Sequence, residues 1–376
     1  MELFSNRFFC PPAADIKYHG LKNQGATCYL NSVLQVLFMT KDFREAVERY
    51  TCGNPDTARM DSHLKDLFDD LKERTAYTYN IKKRLGISRV GEQRDAAEYF
   101  EKIVTHTSRE ASQVFEGVLT HKYTCTGCGT EINTDGPFWS LPLVLVDSDS
   151  EGFSVMDGID RFLRASDICG DEQLYCDQCD AKTDANVRYV IKHHPEVLTL
   201  LLKRFKFDDH RMEHVKINCS VEVPYTLQIP ESQTYDLYAF VDHFGDLRGG
   251  HYTATIKSQE DERWYNFNDT TVTPLRYPPF QVHDNKKRSQ SAYLLFYRKK
   301  KMHAADASTQ DVQVVERPHS LKLNDASSPK SQKHSNKKTC SSQWESGLRF
   351  LDRTVRHRYF VPFVMFVFFF TVVYCS

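Results

Sequence analysis

At 376 residues the chain could hold about two domains or one larger catalytic body, and a hydrophobic content of 40% suffices for a core. Lys and Arg total 49 against 50 Asp and Glu. A balance this even excludes the basic excess expected of a protein whose main partner is nucleic acid or an anionic membrane, and leaves a protein or small molecule as the expected partner.

The first 17 residues read as an N-terminal extension, and residues 18–300 as one globular body. Leu30, Val33, Leu34, Leu37 and Phe38 recur at helical spacing, as do Leu64, Leu67, Phe68 and Leu71, and later Tyr99, Phe100 and Ile103. In the second half, Val197 to Phe207, Asp236 to His243, His251 to Ile256, Trp264 to Asn268 and Ala292 to Arg298 are short runs rich in β-branched and aromatic residues. A helical part followed by a strand part predicts an α+β fold with a cleft where they meet. No internal repeat is visible, which removes solenoids and propellers.

The run Gly20-Leu21-Lys22-Asn23-Gln24-Gly25-Ala26-Thr27-Cys28 precedes the first helical pattern. Thr27 suits an N-cap, which puts Cys28 at the first helical position. There the positive end of the helix dipole favours thiolate and lowers the thiol pKa. Asn23 can aim its amide N–H at a developing oxyanion, an interaction worth roughly 3–4 kcal/mol of barrier. Taken alone, Cys28 also fits a buried structural cysteine. Further on, Asp95 and Glu98 have capping-box spacing, Asp95 as N-cap and Glu98 reaching back.

Eleven cysteines, an odd number, include the pairs Cys125-Thr126-Gly127-Cys128 and Cys176-Asp177-Gln178-Cys179. This is metal-site spacing rather than a disulfide framework, and with no signal peptide opening the chain at Met1 it places the protein in a reducing compartment, cytoplasmic or nuclear. Four thiolates fill a tetrahedral zinc shell and leave no position for catalysis, so Zn2+ is read as structural, pinning hairpin tips around residues 120–190.

Gly249-Gly250-His251-Tyr252 follows, between two expected strands. The glycines let the backbone approach closely and leave room for a thin substrate tail beside the imidazole. In Trp264-Tyr265-Asn266-Phe267-Asn268-Asp269 an amide or carboxylate can hold the second imidazole nitrogen. Cysteine, histidine and asparagine in that chain order match a papain-like arrangement. His251 could instead be a hairpin histidine bonded to backbone, and His243 competes as base, but lacks the adjacent Gly-Gly.

Past Lys300 the composition changes. Residues 301–346 are rich in Ser, Lys, Asn, Gln and His and read as a disordered linker. A basic and then hydrophobic tail covers 347–376. Its uncharged run Tyr359 to Cys375 follows Arg353, Arg356 and Arg358, and at helical rise spans about 25 Å, the lower limit for a bilayer. The length and the upstream arginines allow an anchor with the arginines cytosolic; Pro362 and the shortness argue against it. Contact with a membrane is expected only on the anchor reading.

The segments around Cys28 and His251 resemble the cysteine and histidine boxes of the ubiquitin-specific protease family. Gln93-Arg94-Asp95-Ala96-Ala97-Glu98 and Leu202-Lys203-Arg204-Phe205 resemble two further family signatures. Ala26 and Arg94 stand where the family more often has Asn and Gln. The resemblance, covering roughly Tyr18 to Arg298, implies a papain-like fold of thumb, palm and zinc-bearing fingers. It implies a deubiquitinase acting on ubiquitin and ubiquitinated proteins, with Cys28 as nucleophile, His251 as base, Asn268 as its orienter and Asn23 at the oxyanion. Asp269 would assist the oxyanion through water or brace the loop, and Asp95 and Glu98, with Gly249 and Gly250, would face the arginine-bearing ubiquitin tail. A protease for another ubiquitin-like modifier and an inactive ubiquitin-binding relative remain alternatives.

Overall fold

The computed structural model describes residues 18–50, 60–145, 152–208, 212–229, 233–246, 249–280 and 285–300. The extension, the linker and the hydrophobic tail expected from the sequence lie outside these residues, as do Cys10, Cys52, Cys340 and Cys375. Among the described residues no helix is long and apolar enough to cross a membrane.

Helices lead the chain: α1 (Cys28–Met39), α2 (Lys41–Arg49), α3 (Met60–Glu73), α4 (Tyr79–Arg84) and α5 (Ala96–Thr105). Strands dominate after Gly117. The largest sheet runs, in spatial order, Thr271–Pro274, Trp264–Asn268, His251–Lys257, Gln233–Phe244, Ala292–Lys299, Val197–Lys203 and Leu141–Val144, with Thr226–Ile229 added beside Gln233–Phe244. The Val197–Phe207 run breaks in two at Arg204, whose side chain is fully buried and serves backbone carbonyls instead of the ladder.

The Ala292–Lys299 strand explains its own unbroken apolar sequence. Leu294 and Phe296 join the core beneath the helices, while Leu295 and Tyr297 join a second core on the opposite face. Successive strand side chains point to opposite faces, and here both faces are covered. All twelve residues of α1 are buried, so it is an internal helix rather than an amphipathic surface one. It packs across the His251–Lys257 and Trp264–Asn268 strands, which brings Cys28 to the end of the strand that starts at His251.

A smaller sheet is ordered Glu131–Phe138, Gly117–Cys125, Ala185–His193 and Ser166–Ile168, and its Leu119, Val187 and Ile191 join the second core. Cys125 ends its Gly117–Cys125 strand, and Cys176 ends the Leu174–Cys176 strand of a separate two-stranded sheet with Ala181–Thr183. The observed layers are the α+β arrangement expected.

Candidate active site and metal cluster

Thr27 occupies the N-cap position of α1, but its hydroxyl caps no helical N–H. It faces back into the preceding loop, accepting from Gln24 N at 3.0 Å and donating to Asn23 Oδ1 at 3.3 Å. Asn23 Oδ1 also accepts from Thr27 N, 3.1 Å. The Asn23 amide is thereby oriented: Nδ2 donates to Asp269 Oδ2 at 2.9 Å and keeps its second hydrogen. Asn23 itself is exposed.

Cys28 is buried, and its Sγ lies within reach of the backbone N–H of Tyr252, the residue after His251. Burial pushes the thiol above its ordinary range; the Tyr252 N–H opposes this, and the charge of Asp269 adds to it. The lowered pKa expected from the helix dipole is therefore not what this pocket produces, because desolvation of the thiolate outweighs the favourable dipoles. The S–H donates instead to Gln93 Oε1 at 3.6 Å, and Gln93 Nε2 donates to Gly250 O at 2.7 Å. One amide thus bridges the thiol and the residue before His251.

His251 Nε2 donates to Asn268 Oδ1 at 2.8 Å. With that nitrogen carrying the proton, Nδ1 holds the lone pair. The competing His243 is 1% exposed, ringed by Phe205, Tyr252 and Tyr293, and held neutral by burial, its pKa down to about 4. It lies under the hairpin and not at the thiol.

Asp269 follows Asn268 in a left-handed conformation, φ 49°, and its carboxylate turns to the nucleophile loop. It accepts from Asn23 Nδ2 and, at 2.8 Å, from Asn31 Nδ2 of α1. Its carbonyl receives Leu21 N at 2.8 Å, and a side chain at Gly20 would meet that carbonyl at 2.3 Å. These contacts tie the Asp269 carboxylate and carbonyl to the nucleophile loop and α1.

The two glycines before His251 differ. Nothing lies within 4 Å of a side chain placed at Gly249, whereas one at Gly250 would sit 2.0 Å from His243 Nε2. Gly250 is needed for packing, and only Gly249 leaves open space.

Asp95 is the N-cap of α5, its Oδ1 accepting from Ala97 N at 2.7 Å, and its Oδ2 accepts from Tyr293 OH at 2.7 Å. Glu98 does not reach back to close a capping box; it is exposed and pairs with Lys102 one turn on. Arg94 donates to Tyr99 OH at 2.7 Å. Gln93, Asn31 and Tyr293 carry no spacing signal that singles them out, since each acquires its partner only across 65 residues or more.

The four cysteine sulfurs of Cys125, Cys128, Cys176 and Cys179 all lie within 4.8 Å of one another. Two contacts, Cys125 to Cys179 at 3.8 Å and Cys128 to Cys176 at 3.6 Å, compare with the ~3.8 Å edge of a tetrahedron built on ~2.3 Å zinc–sulfur bonds. Each knuckle ends on a left-handed residue directly after its second cysteine, Gly129 at φ 75° and Asp180 at φ 50°. The Thr183 hydroxyl pulls Cys125 down to about 6, while Cys128 and Cys125 push Cys179 up to about 12. Sulfurs this close cannot all ionise without a cation, so the donor set fits a soft divalent metal.

Residues 19–297 match the family described as ubiquitin carboxyl-terminal hydrolase. Ubiquitin carboxyl-terminal hydrolase 15 of Schizosaccharomyces pombe is 31% identical over 280 residues, which covers 68% of this chain and 24% of that protein. Ubiquitin carboxyl-terminal hydrolase 47 of Homo sapiens is 26% identical across 75% of this chain and 28% of its own length. Ubiquitin carboxyl-terminal hydrolase 2 of Gallus gallus is 34% identical over 182 residues, 46% of this chain and 48% of that protein. The chain spans between a quarter and a half of these relatives' lengths.

Proposed function

Because this chain belongs to the ubiquitin carboxyl-terminal hydrolase family, we propose that it is a thiol-dependent deubiquitinase that hydrolyses the bond after the C-terminal glycine of ubiquitin. The observation that carries the reading is the His251 Nε2–Asn268 bond of 2.8 Å beside a cysteine within reach of the Tyr252 N–H. It leaves Nδ1 free to take a proton.

Cys28 starts as a neutral thiol. His251 Nδ1 removes the proton as Sγ attacks the glycine carbonyl, and the oxyanion meets the uncommitted Asn23 N–H, fixed by Asp269. Collapse breaks the C–N bond; the imidazolium gives its proton to the departing lysine amine. A water, deprotonated by His251, then attacks the thioester and releases ubiquitin and the thiol. Asp95 and Glu98 face the arginine-bearing ubiquitin tail, Glu98 exchanging Lys102 for that partner.

The helices form the thumb, the large sheet the palm and the smaller sheet the fingers, with residues 18–300 as the catalytic domain. The four cysteines hold a structural zinc, which when bound cross-links two hairpins and supplies no catalytic position. Ubiquitin and its conjugates are the partners, inside the cell.

Ubiquitin and other modifiers bearing a C-terminal electrophile, offered in parallel to the full chain, test this. Covalent capture of the ubiquitin probe at Cys28 and multiple-turnover release of a fluorogenic ubiquitin amide are expected. Capture of a different modifier alone, or binding of ubiquitin without release, would overturn the assignment.

A further inference from the structure

We propose that the cavity behind the hairpin bearing His251 is a binding site for a small polyanion of the phosphate class, one carrying two or more phosphate groups. The cavity measures about 580 Å³ and lies between Lys216, the Phe244–Gly245 turn and the strand Lys286–Ser289. Among the described residues three cations line it, Lys216, Lys287 and Arg288, and no carboxylate does. Asn218, Ser220 and Ser291 add neutral hydrogen-bonding groups.

The nearby acids offset part of this charge. Asp242, buried and bonded by Ser291 Oγ at 2.9 Å, acts through space on Lys287, Lys216 and Arg204, while burial pushes its carboxyl upward; the Lys287 ammonium also sits 3.7 Å from the centre of the Phe240 ring. Glu222 is held mainly by Lys286 at 2.7 Å and touches Arg288 only at 4.0 Å. Asp246 acts on Lys216 through space. Behind the cavity sits another positive charge, Arg204, fully buried, with four hydrogen bonds to backbone carbonyls and the Cys219 side chain and Asp242 also acting on it. Those carbonyls belong to Ile217, Cys219, Ser289 and Ala292, so Arg204 fixes two walls before any ligand arrives. His243 also lines the cavity, 1% exposed, and its Nδ1 has no hydrogen-bond partner.

Lysine point charges and an arginine fork beside hydroxyls suit phosphate oxygens. At ~30 Å³ per water the volume corresponds to roughly twenty waters, more room than a single phosphate group fills. Lys216 ties this cavity to the strand and turn that precede His251. Its ammonium donates to His243 O at 2.7 Å and Gly245 O at 3.1 Å, which leaves one of three N–H groups for the anion.

The test is titration of the full chain with inorganic pyrophosphate at fixed ionic strength and buffered free zinc, read by unfolding midpoint and calorimetry. A saturable rise in the midpoint is expected, with affinity about tenfold weaker in Lys287→Met and in Arg288→Gln. Arg288 is exposed, so Arg288→Gln carries the comparison if the half-buried lysine variant does not fold. No saturable binding, or equal affinity in Arg288→Gln, would overturn the site. So would a phosphoserine peptide that binds where pyrophosphate does not.

Discussion

Cys28 and the four-cysteine cluster use the same side chain under opposite conditions. Cys28 sits inside the larger core with Tyr29, Leu30 and Ile256, and its neighbours are fixed by packing and by bonds from residues more than 200 positions away. The four cluster cysteines belong to neither core, and they sit in two tight turns, one at the end of a four-stranded sheet and one closing a separate two-stranded hairpin. One thiol is packed into a core; the other four cluster where the chain has none, and there the proposed zinc would hold the hairpins together. Burial therefore pushes Cys28 up, whereas near neighbours govern the cluster thiols.

If that contrast is right, Cys28→Ala should lower kcat on a fluorogenic ubiquitin amide by at least ~10⁴-fold with an unchanged melting temperature. A large change in melting temperature would show that Cys28 is also structural. Cys176→Ser should do the reverse, losing bound zinc and several kcal/mol of stability, on the order seen for structural zinc sites. Metal analysis and thermal unfolding check this; full stability with no bound metal would break the comparison.

The orienter and the brace sharpen it further. Asn268→Ala should cut kcat by about 10- to 1,000-fold, less than disturbing a serine-triad carboxylate, while Asn268→Asp should be tolerated. In Asp269→Asn the negative charge that raises the Cys28 pKa is removed, so the acid limb of the kcat/KM profile should move to lower pH. Near-normal kcat in Asn268→Ala beside loss of turnover in folded Asp269→Ala would exchange the two roles.

The smallest expected effect is in stability. Burial depresses His243 to about 4 from its ordinary 6.5, so the unfolded chain takes up that proton first. Its contribution is full above about pH 6.5 and fades as pH falls through 4, roughly 3 kcal/mol in total. Denaturant melts across that window should show the decline, and His243→Leu should flatten it.

Helix starts, strand runs and the two knuckles were legible because each is written in near neighbours. Helical spacing placed Leu30, Leu34 and Leu37 on α1, and C-x-x-C spacing brought the four sulfurs together. The cap and dipole at Cys28 were local signals too, yet they misjudged the thiol, because desolvation depends on everything packed around it. Likewise Glu98 paired forward to Lys102 rather than back, a choice between neighbours that spacing left open. Gln93 between thiol and Gly250, Asp269 on Asn23, and His243 beneath Gly250 arise only when distant segments meet. Sequence by itself determined the elements and the candidate nucleophile, base and ligands. Tertiary structure decided their protonation and orientation, since burial and long-range hydrogen bonds exist only in the packed chain.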